Sequence, residues 1–358
     1  MSWKPSNLPY DVELETKIVL KKLTSAHRAL AELKGLARSL PQQDILINML
    51  TFQEAKDSSE VENIVTTHDE LYKSSLTIEN YISPATKEVQ NYGSALKKGY
   101  DIVKTKKILT INTIIEIQSV LEKNYAGLRK MPGTNLKNQK GEIIFEPPQD
   151  SQEIISLMSN LEKFINDTTI SDYDPIIKMA IIHFQFESIH PFYNGNGRTG
   201  RIINILYLVL NDLLDLPILY LSNYIIKNKS DYYRLLQEVR DSNNWEEWLL
   251  YMIEAVEKTA QDTIILISKI NNLMINLKYN LRDNYKFYSH ELLNHLFKKP
   301  YTKIEFLMED LNISRITASS YLNQLTTGQL LIKHKIGKTN YYVNNDLIQM
   351  LTLHNSKR

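Results

Sequence analysis

His190-Pro191-Phe192-Tyr193-Asn194-Gly195-Asn196-Gly197-Arg198-Thr199-Gly200-Arg201 stands between two strongly apolar stretches. Before it, Ile176 to Phe186 reads IIKMAIIHFQF, apolar nearly all round, which predicts a central buried helix over Asp174 to Ser188. After it, a second very apolar helix is predicted from about Arg198 to Leu213. The first helix delivers a histidine to its end, and the glycines that follow let the backbone approach a ligand closely. The second helix then points its free N–H groups and positive dipole end into the loop, which makes an anion site. Arg198 and Arg201, three apart on the first turn, are expected to share a face and to suit a polyphosphate. Imidazole titrates near neutrality and can take a proton from a hydroxyl, so a base stands beside a phosphate cradle. Each feature alone has a structural reading: a core histidine, a turn, a solvated helix face. Their combination within twelve residues points to chemistry at phosphorus.

Outward from the loop, the N-terminal side has helical spacing. Leu20, Leu23, Leu30, Leu33 and Leu36 suggest one apolar stripe, and a second helix is predicted over Gln42 to Lys56. Asp57 to Glu60 then offers cap residues for a short helix carrying Val61, Glu62 and Asn63. Helical pattern returns from Leu109 to Leu128. Turn signals at Met131 to Thr134 and Asn138 to Gly141 bracket a predicted β-hairpin over Gly133 to Phe145, ended by Pro147-Pro148. Further helices are predicted over Ser151 to Asp167, Lys229 to Arg240, Trp245 to Ala260 and Ile264 to Leu281. From about Tyr285 the order is helix, helix, turn, helix, then two short strands around Gly337, which is the order of a winged helix.

The bulk composition of the 358 residues narrows the class. Apolar residues make up 43% and charged residues 23%, ordinary for globular domains, and the length suggests more than one of them. A net charge of +1 gives no global pull toward nucleic acid or membrane, and the absence of cysteine excludes disulfides and thiolate metal sites. The longest strongly apolar stretch, around Ile202 to Leu210, is about half of what a membrane span needs. No signal-peptide pattern opens the chain, so a soluble, cytoplasmic protein without membrane contact is expected.

The loop closely resembles the signature of the Fic family, His-Pro-Phe-x-(Asp/Glu)-Gly-Asn-Gly-Arg-x-x-Arg, and the resemblance extends from about Leu8 to Leu347. It implies a mainly α fold: a Fic-type helical core with a β-hairpin flap, plus a C-terminal winged helix-turn-helix domain. The implied layout is an N-terminal helical region over 1–100, a core over 101–260 with its flap at 133–146 and motif at 190–201, a connecting helix over 261–284, and the winged-helix domain over 285–358. The implied activity is transfer of AMP from ATP to a Tyr, Thr or Ser hydroxyl of a protein, the chain itself included. His190 would be the base. Gly195, Asn196, Gly197, Arg198, Thr199, Gly200 and Arg201 would hold the ATP phosphates, with Gly195 to Gly197 forming the anion hole. Tyr232 and Tyr233 match the family's tyrosine pair near the adenine, with plain helix packing as the other reading. A target segment would dock on the flap by strand addition.

Two positions shape the expected activity. The family has Asp or Glu where this chain has Asn194; that carboxylate ligates the Mg²⁺ of the bound nucleotide, and an amide oxygen lacks its charge. Weaker metal binding and slower transfer are expected. The chain is then a weak enzyme, an inactive form, or one that regains the ligand by deamidation at Asn194-Gly195. Ser58-Ser59-Glu60-Val61-Glu62-Asn63 fits the family's inhibitory pattern, Ser/Thr-x-x-x-Glu-Gly/Asn, through Ser58, Glu62 and Asn63. There a carboxylate competes with the γ-phosphate for Arg201. A different reading makes the chain a catalytically impaired, nucleotide-sensing regulator that binds DNA through Ser314, Arg315, Thr317 and Ser320 and the wing lysines Lys333, Lys335 and Lys338. UTP or GTP as donor stays open, and relatives commonly form homodimers.

Overall fold

The computed structural model describes residues 3–39, 43–67, 70–71, 83–137, 140–298, 300–336 and 339–353. Its elements run in the order α1 (Lys17–Ser39), α2 (Gln43–Val61), α3 (Pro84–Lys106), α4 (Ile111–Glu122), β1 (Leu136–Lys137), β2 (Ile143–Phe145), α5 (Ser151–Asn166), α6 (Pro175–Ile189), α7 (Asn196–Leu210), α8 (Ser222–Lys227), α9 (Lys229–Ser242), α10 (Trp245–Asn284), α11 (His290–Lys298), β3 (Tyr301–Thr302), α12 (Ile304–Leu311), α13 (Arg315–Thr327), β4 (Ile332–Ile336), β5 (Thr339–Val343) and α14 (Asn345–Leu353). The fold is mainly helical, as the sequence predicts. The residues group into two compact units. One comprises Met1–Gly35, Leu50–Val65 and Lys87–Thr263, the other Leu36–Met49, Thr66–Thr86 and Ile264–Arg358. No described helix is long and apolar enough to cross a membrane.

In the first unit α6 is buried at every residue from Ile176 to Ile189. Asp174 caps it, accepting from the Ile176 N–H at 2.8 Å, and Pro175 occupies the first turn, where its missing N–H costs nothing. The other Asp174 oxygen lies 2.6 Å from His27 Nε2, which ties α1 to the head of the central helix. α7 packs along α6, and its own face is buried from Arg198 to Val209. α3 approaches α7 and α4 closely at Gly99, where a Cβ would stand 2.5 Å from Leu206 Cδ1 and 2.8 Å from Ile117 Cδ1. The flap is short and irregular: Leu136 pairs with Phe145 and Lys137 with Ile143, antiparallel, with a register shift between them. Gly141 takes φ +82°, but the Asn138-Gln139 part of the predicted turn lies outside the described residues.

Several expectations need correction. Leu23, Leu30 and Leu33 are buried, but Leu20 is 46% exposed. The buried stripe of α1 continues instead through Val19 and Ala26, both about 100–120° around the helix from Leu20. Asp57 to Glu60 does not cap a new helix; it lies inside α2, which runs on to Val61. Asp57 is buried and accepts from Gln53 Nε2 at 3.0 Å and Asn223 Nδ2 at 2.9 Å, so tertiary partners take the cap-like side chains and the helix continues. The predicted break after Ala260 is absent as well. Thr259 and Thr263 donate back to Ala255 O and Thr259 O, each at 2.6 Å, and α10 passes through unbroken.

In the second unit the tail adds two elements to the predicted order. β3 pairs with β5, which makes a three-stranded antiparallel sheet in the order β3-β5-β4, and α14 follows the hairpin. This order is consistent with a winged helix. Ser314 caps α13, accepting from the Thr317 N–H at 3.2 Å, and Phe287 stacks on Tyr321 with centroids 4.0 Å apart. Gly337 and Lys338 lie outside the described residues.

Two of the helical glycines, Gly35 and Gly99, predict opposite outcomes in thermal unfolding. Gly99→Ala forces a methyl against Leu206 and Ile117 and lowers the melting temperature, with a cost of about 1–3 kcal/mol. Gly35→Ala, exposed on α1 with nothing within 4 Å of the new atom, raises it, with a gain in stability of about 0.5–1 kcal/mol. A Gly99→Ala protein as stable as the parent would contradict the packing described.

Candidate functional site

His190 terminates α6 in the left-handed region, φ 49° and ψ 58°, and its N–H still closes the helix on Phe186 O at 2.9 Å. From there a buried arginine holds the loop. Arg129 Nε donates to His190 O at 2.8 Å, Nη2 donates to Ile189 O at 3.3 Å and to Pro148 O, and the Arg129 N–H reaches Pro191 O at 2.8 Å. Asn196 clamps the next turn from both sides: Phe192 N–H donates to its Oδ1 at 2.9 Å and its Nδ2 donates to Phe192 O at 2.7 Å. The Tyr193 hydroxyl accepts from the Lys130 and Met131 N–H groups at 2.9 and 3.1 Å. Gly195 turns the chain into α7 with φ +77°, and a Cβ there would meet Glu122 Oε1 at 2.5 Å, so both its dihedral and its space exclude a side chain.

A cleft of about 620 Å³ opens beside this loop. Of the residues named from the sequence, Glu62, Asn63, His190, Gly197, Arg201, Tyr232 and Tyr233 line it. Ser58, Asn194, Gly195, Asn196, Arg198, Thr199 and Gly200 are not among the described residues that do. Tyr232 and Tyr233 divide their duties. Tyr232 is buried, its hydroxyl 2.8 Å from His183 Nε2, whereas Tyr233 is 42% exposed and presents its ring to the opening. Burial pushes the His190 imidazole down to about 4, and the Arg129 guanidinium adds to the effect, so the ring is neutral at pH 7. Three residues earlier, Glu187 is buried with Oε1 unpartnered, and burial raises its carboxyl to about 7.

The two arginines of the loop do not act as a pair in this structure. Arg198 donates to Glu88 at 3.0 Å and Glu122 at 2.7 Å, carboxylates of α3 and α4. Arg201 is 1% exposed and turns to α2 instead: Nε donates to Ser58 Oγ at 2.8 Å, Nη2 to Ser58 O at 2.9 Å and to Glu62 Oε1 at 2.7 Å. Burial pushes the Glu62 carboxyl up, but the Arg201 guanidinium outweighs it, so Glu62 is held below the usual carboxylate range. The Glu62 carboxylate also lies against the first turn of α7, in the space a Cβ on Gly197 would need. An anion therefore already stands at the positive end of this helix. Glu62 is placed by the end of α2, where Asn63 takes φ +62° and Ile64 N–H and Asn63 N–H return to Ser59 O and Glu60 O at 3.0 and 2.9 Å. Lys229 Nζ donates to Asn63 Oδ1 at 3.1 Å.

Asn194 is exposed, and its backbone carbonyl accepts from Gln118 Nε2 at 3.2 Å. Among the described residues no group of three His, Asp or Glu could hold a metal ion. An ion in this site would come with its ligand's phosphates, with the neutral Asn194 amide as the protein's contribution. Arg129, Gln118, Glu122 and Glu187 were missed in the sequence; the turn signal at Met131 to Gly133 abuts Arg129 but does not mark it.

Comparison with known proteins agrees with this geometry. The Fic/DOC family N-terminal profile matches residues 20–101, the Fic/DOC family profile residues 108–208, and the C-terminal domain profile of SoFic-like protein adenylyltransferases residues 273–347. A probable protein adenylyltransferase of Aquifex aeolicus is 27% identical over 201 residues, 54% of this chain and 57% of that protein. The Drosophila erecta protein adenylyltransferase Fic is 36% identical over 56 residues, 16% of this chain and 11% of that one. The chain thus spans just over half of the first relative and a small part of the second. Among solved structures, a Fic family protein from Desulfovibrio desulfuricans superposes with a TM-score of 0.60 at 17% identity, covering 94% of this chain and 98% of its own. A fragment of Fic-1 from C. elegans gives 0.55 at 20% identity, covering 70% and 73%. These likenesses concern the fold, and with the three adjoining profiles and the loop they lead to one conclusion: the chain belongs to the Fic/DOC family.

Proposed function

We propose that this chain transfers AMP from ATP to a Tyr, Thr or Ser hydroxyl of a protein, itself included, and that Glu62 brakes the transfer. The observation that carries the reading is the contact of Glu62 and Ser58 with Arg201 beside His190 in one cleft. Arg201 and the first turn of α7 offer donors suited to an oxyanion, and the Glu62 carboxylate now lies against both. With Glu62 withdrawn, a triphosphate takes its place. The neutral His190 imidazole then accepts the proton of the acceptor hydroxyl while its oxygen bonds to the α-phosphorus and the bond to the pyrophosphate oxygen breaks. The exposed ring of Tyr233 offers a flat apolar face for the base. Mg²⁺ held at Asn194 would neutralise phosphate charge.

The neutral amide at residue 194 makes a slow enzyme the leading form of this proposal. A role for DNA rests on different residues. Ser314, Arg315 and Ser320 are exposed at the start and along α13, Thr317 is half-buried, and β4 exposes Lys333 and Lys335, a surface compatible with a phosphate backbone.

Three outcomes are expected. With ATP labelled at the α-phosphorus, Asn194→Asp raises the self-labelling rate, by about tenfold or more if the ligand charge limits the reaction; equal rates refute that limit. Glu62→Gly in the Asn194→Asp background raises it further and lowers the KM for ATP, while His190→Ala in the same background removes labelling. An unaltered KM in the Glu62 variant speaks against the brake. A gel shift with the full chain and duplex DNA that weakens steeply between about 50 and 200 mM salt supports the DNA contact; no shift at low salt dismisses it.

A further inference from the structure

The cleft holds a second buried guanidinium that the transfer chemistry leaves unused. Arg240 of α9 is 7% exposed and lines the cleft. Its polar contacts are long, Nη2 to Ser188 Oγ at 3.2 Å and Nη1 to Gln237 Oε1 at 3.4 Å, and Nε has none. Its close partner is a ring face. The guanidinium carbon stands 4.0 Å from the Phe145 centroid and 5.7 Å from that of Phe184. A desolvated cation on an aromatic face is held more firmly than an exposed one, because no water competes for it.

Phe145 is the inward residue of flap strand β2, while its neighbours Ile143 and Ile144 are 59% and 41% exposed. Trp3 meets the same Phe145 ring with centroids 6.0 Å apart and Phe184 at 5.4 Å, so the ring is flanked by an indole and a guanidinium. The flap needs such support. Its ladder is two or three residues long and interrupted by a register shift, and a two-stranded hairpin of that size does not hold its own position in water. On its other side Arg240 touches Ser188, two residues before His190. One planar group therefore contacts both the strand that would receive a substrate segment and the helix end that carries the imidazole.

We propose that Arg240 is a positioning residue that fixes flap strand β2 relative to His190, so that a peptide strand added to the flap presents its hydroxyl within reach of the imidazole. The role of His190 as base in this statement rests on the transfer reaction proposed above; the pinning of β2 does not. Lysine cannot replace the residue fully, since it keeps the charge but loses the plane that lies on Phe145.

Hydrogen exchange on the full chain tests the pin without requiring activity. Arg240→Ala and, from the flap side, Phe145→Leu are each expected to speed amide exchange at residues 143–145 by about tenfold, with exchange in α7 unchanged. Arg240→Lys gives an intermediate effect. The Arg240→Ala/Phe145→Leu double variant exchanges no faster than either single one, because both remove the same contact. In the Glu62→Gly/Asn194→Asp background, Phe145→Leu lowers the self-labelling rate at saturating ATP by about tenfold and leaves the KM for ATP within about twofold. Exchange at 143–145 equal to the parent in Arg240→Ala, or faster exchange spread equally over α7, overturns the proposal. Absence of AMP transfer by the parent background itself would strike the reaction and not the pin, which the exchange data decide alone.

Discussion

A guanidinium that is 1% exposed cannot be left without an anion, and the placement of Arg201 follows from that constraint. Its charge is answered from α2, by a hydroxyl, a backbone carbonyl and a carboxylate, all within 2.9 Å. The N-terminal helices are consequently part of the site. Remove the carboxylate and the cation remains, buried, at the end of a helix dipole of the same sign; the protein then has a standing requirement for another oxyanion. Phosphate meets that requirement with the same charge-assisted geometry as a carboxylate. Under the proposed function, inhibition and substrate affinity would be one electrostatic problem with two solutions.

The imidazole of His190 shows the complementary arrangement. Burial and two nearby guanidinium groups, Arg129 and Arg240, all disfavour its protonation, against the Glu187 backbone and the Glu62 carboxylate. Arg129 does this while serving as the scaffold of the loop, since it gathers three backbone carbonyls from residues 148 to 190. A single side chain therefore sets both where the ring stands and in which protonation state.

The loop itself was legible in the sequence because its chemistry is written in residue types with narrow uses: glycines where the chain turns left-handed, a histidine at a helix end, arginines at a helix start. α6 was legible for a related reason, as an apolar run capped by Asp174-Pro175. What could not be read is what depends on long-range partners. Asp57, Ser58 and Ser59 look like caps, and only the fold reveals that they are buried and that α2 goes on to Val61. Arg198 and Arg201 share a helix turn, yet α3 and α4 claim one and α2 the other. Arg129 and Arg240 have no local pattern, since their acceptors and ring faces come from distant segments. β3 is two residues long and exists only through its pairing with β5.

The manner in which α2 ends has a mechanical consequence. Glu62 sits past the last helical residue, in a single reversal of the chain closed by three backbone hydrogen bonds around the positive φ of Asn63. The terminal turn of a helix opens at far lower free energy than the domain unfolds. Fraying of that one turn would carry the carboxylate away from Arg201 and leave the rest of α2, anchored through Glu54 and Asp57, in place. If Glu62 brakes the transfer as proposed, the stability of this one helix turn would help set how firmly the brake is held.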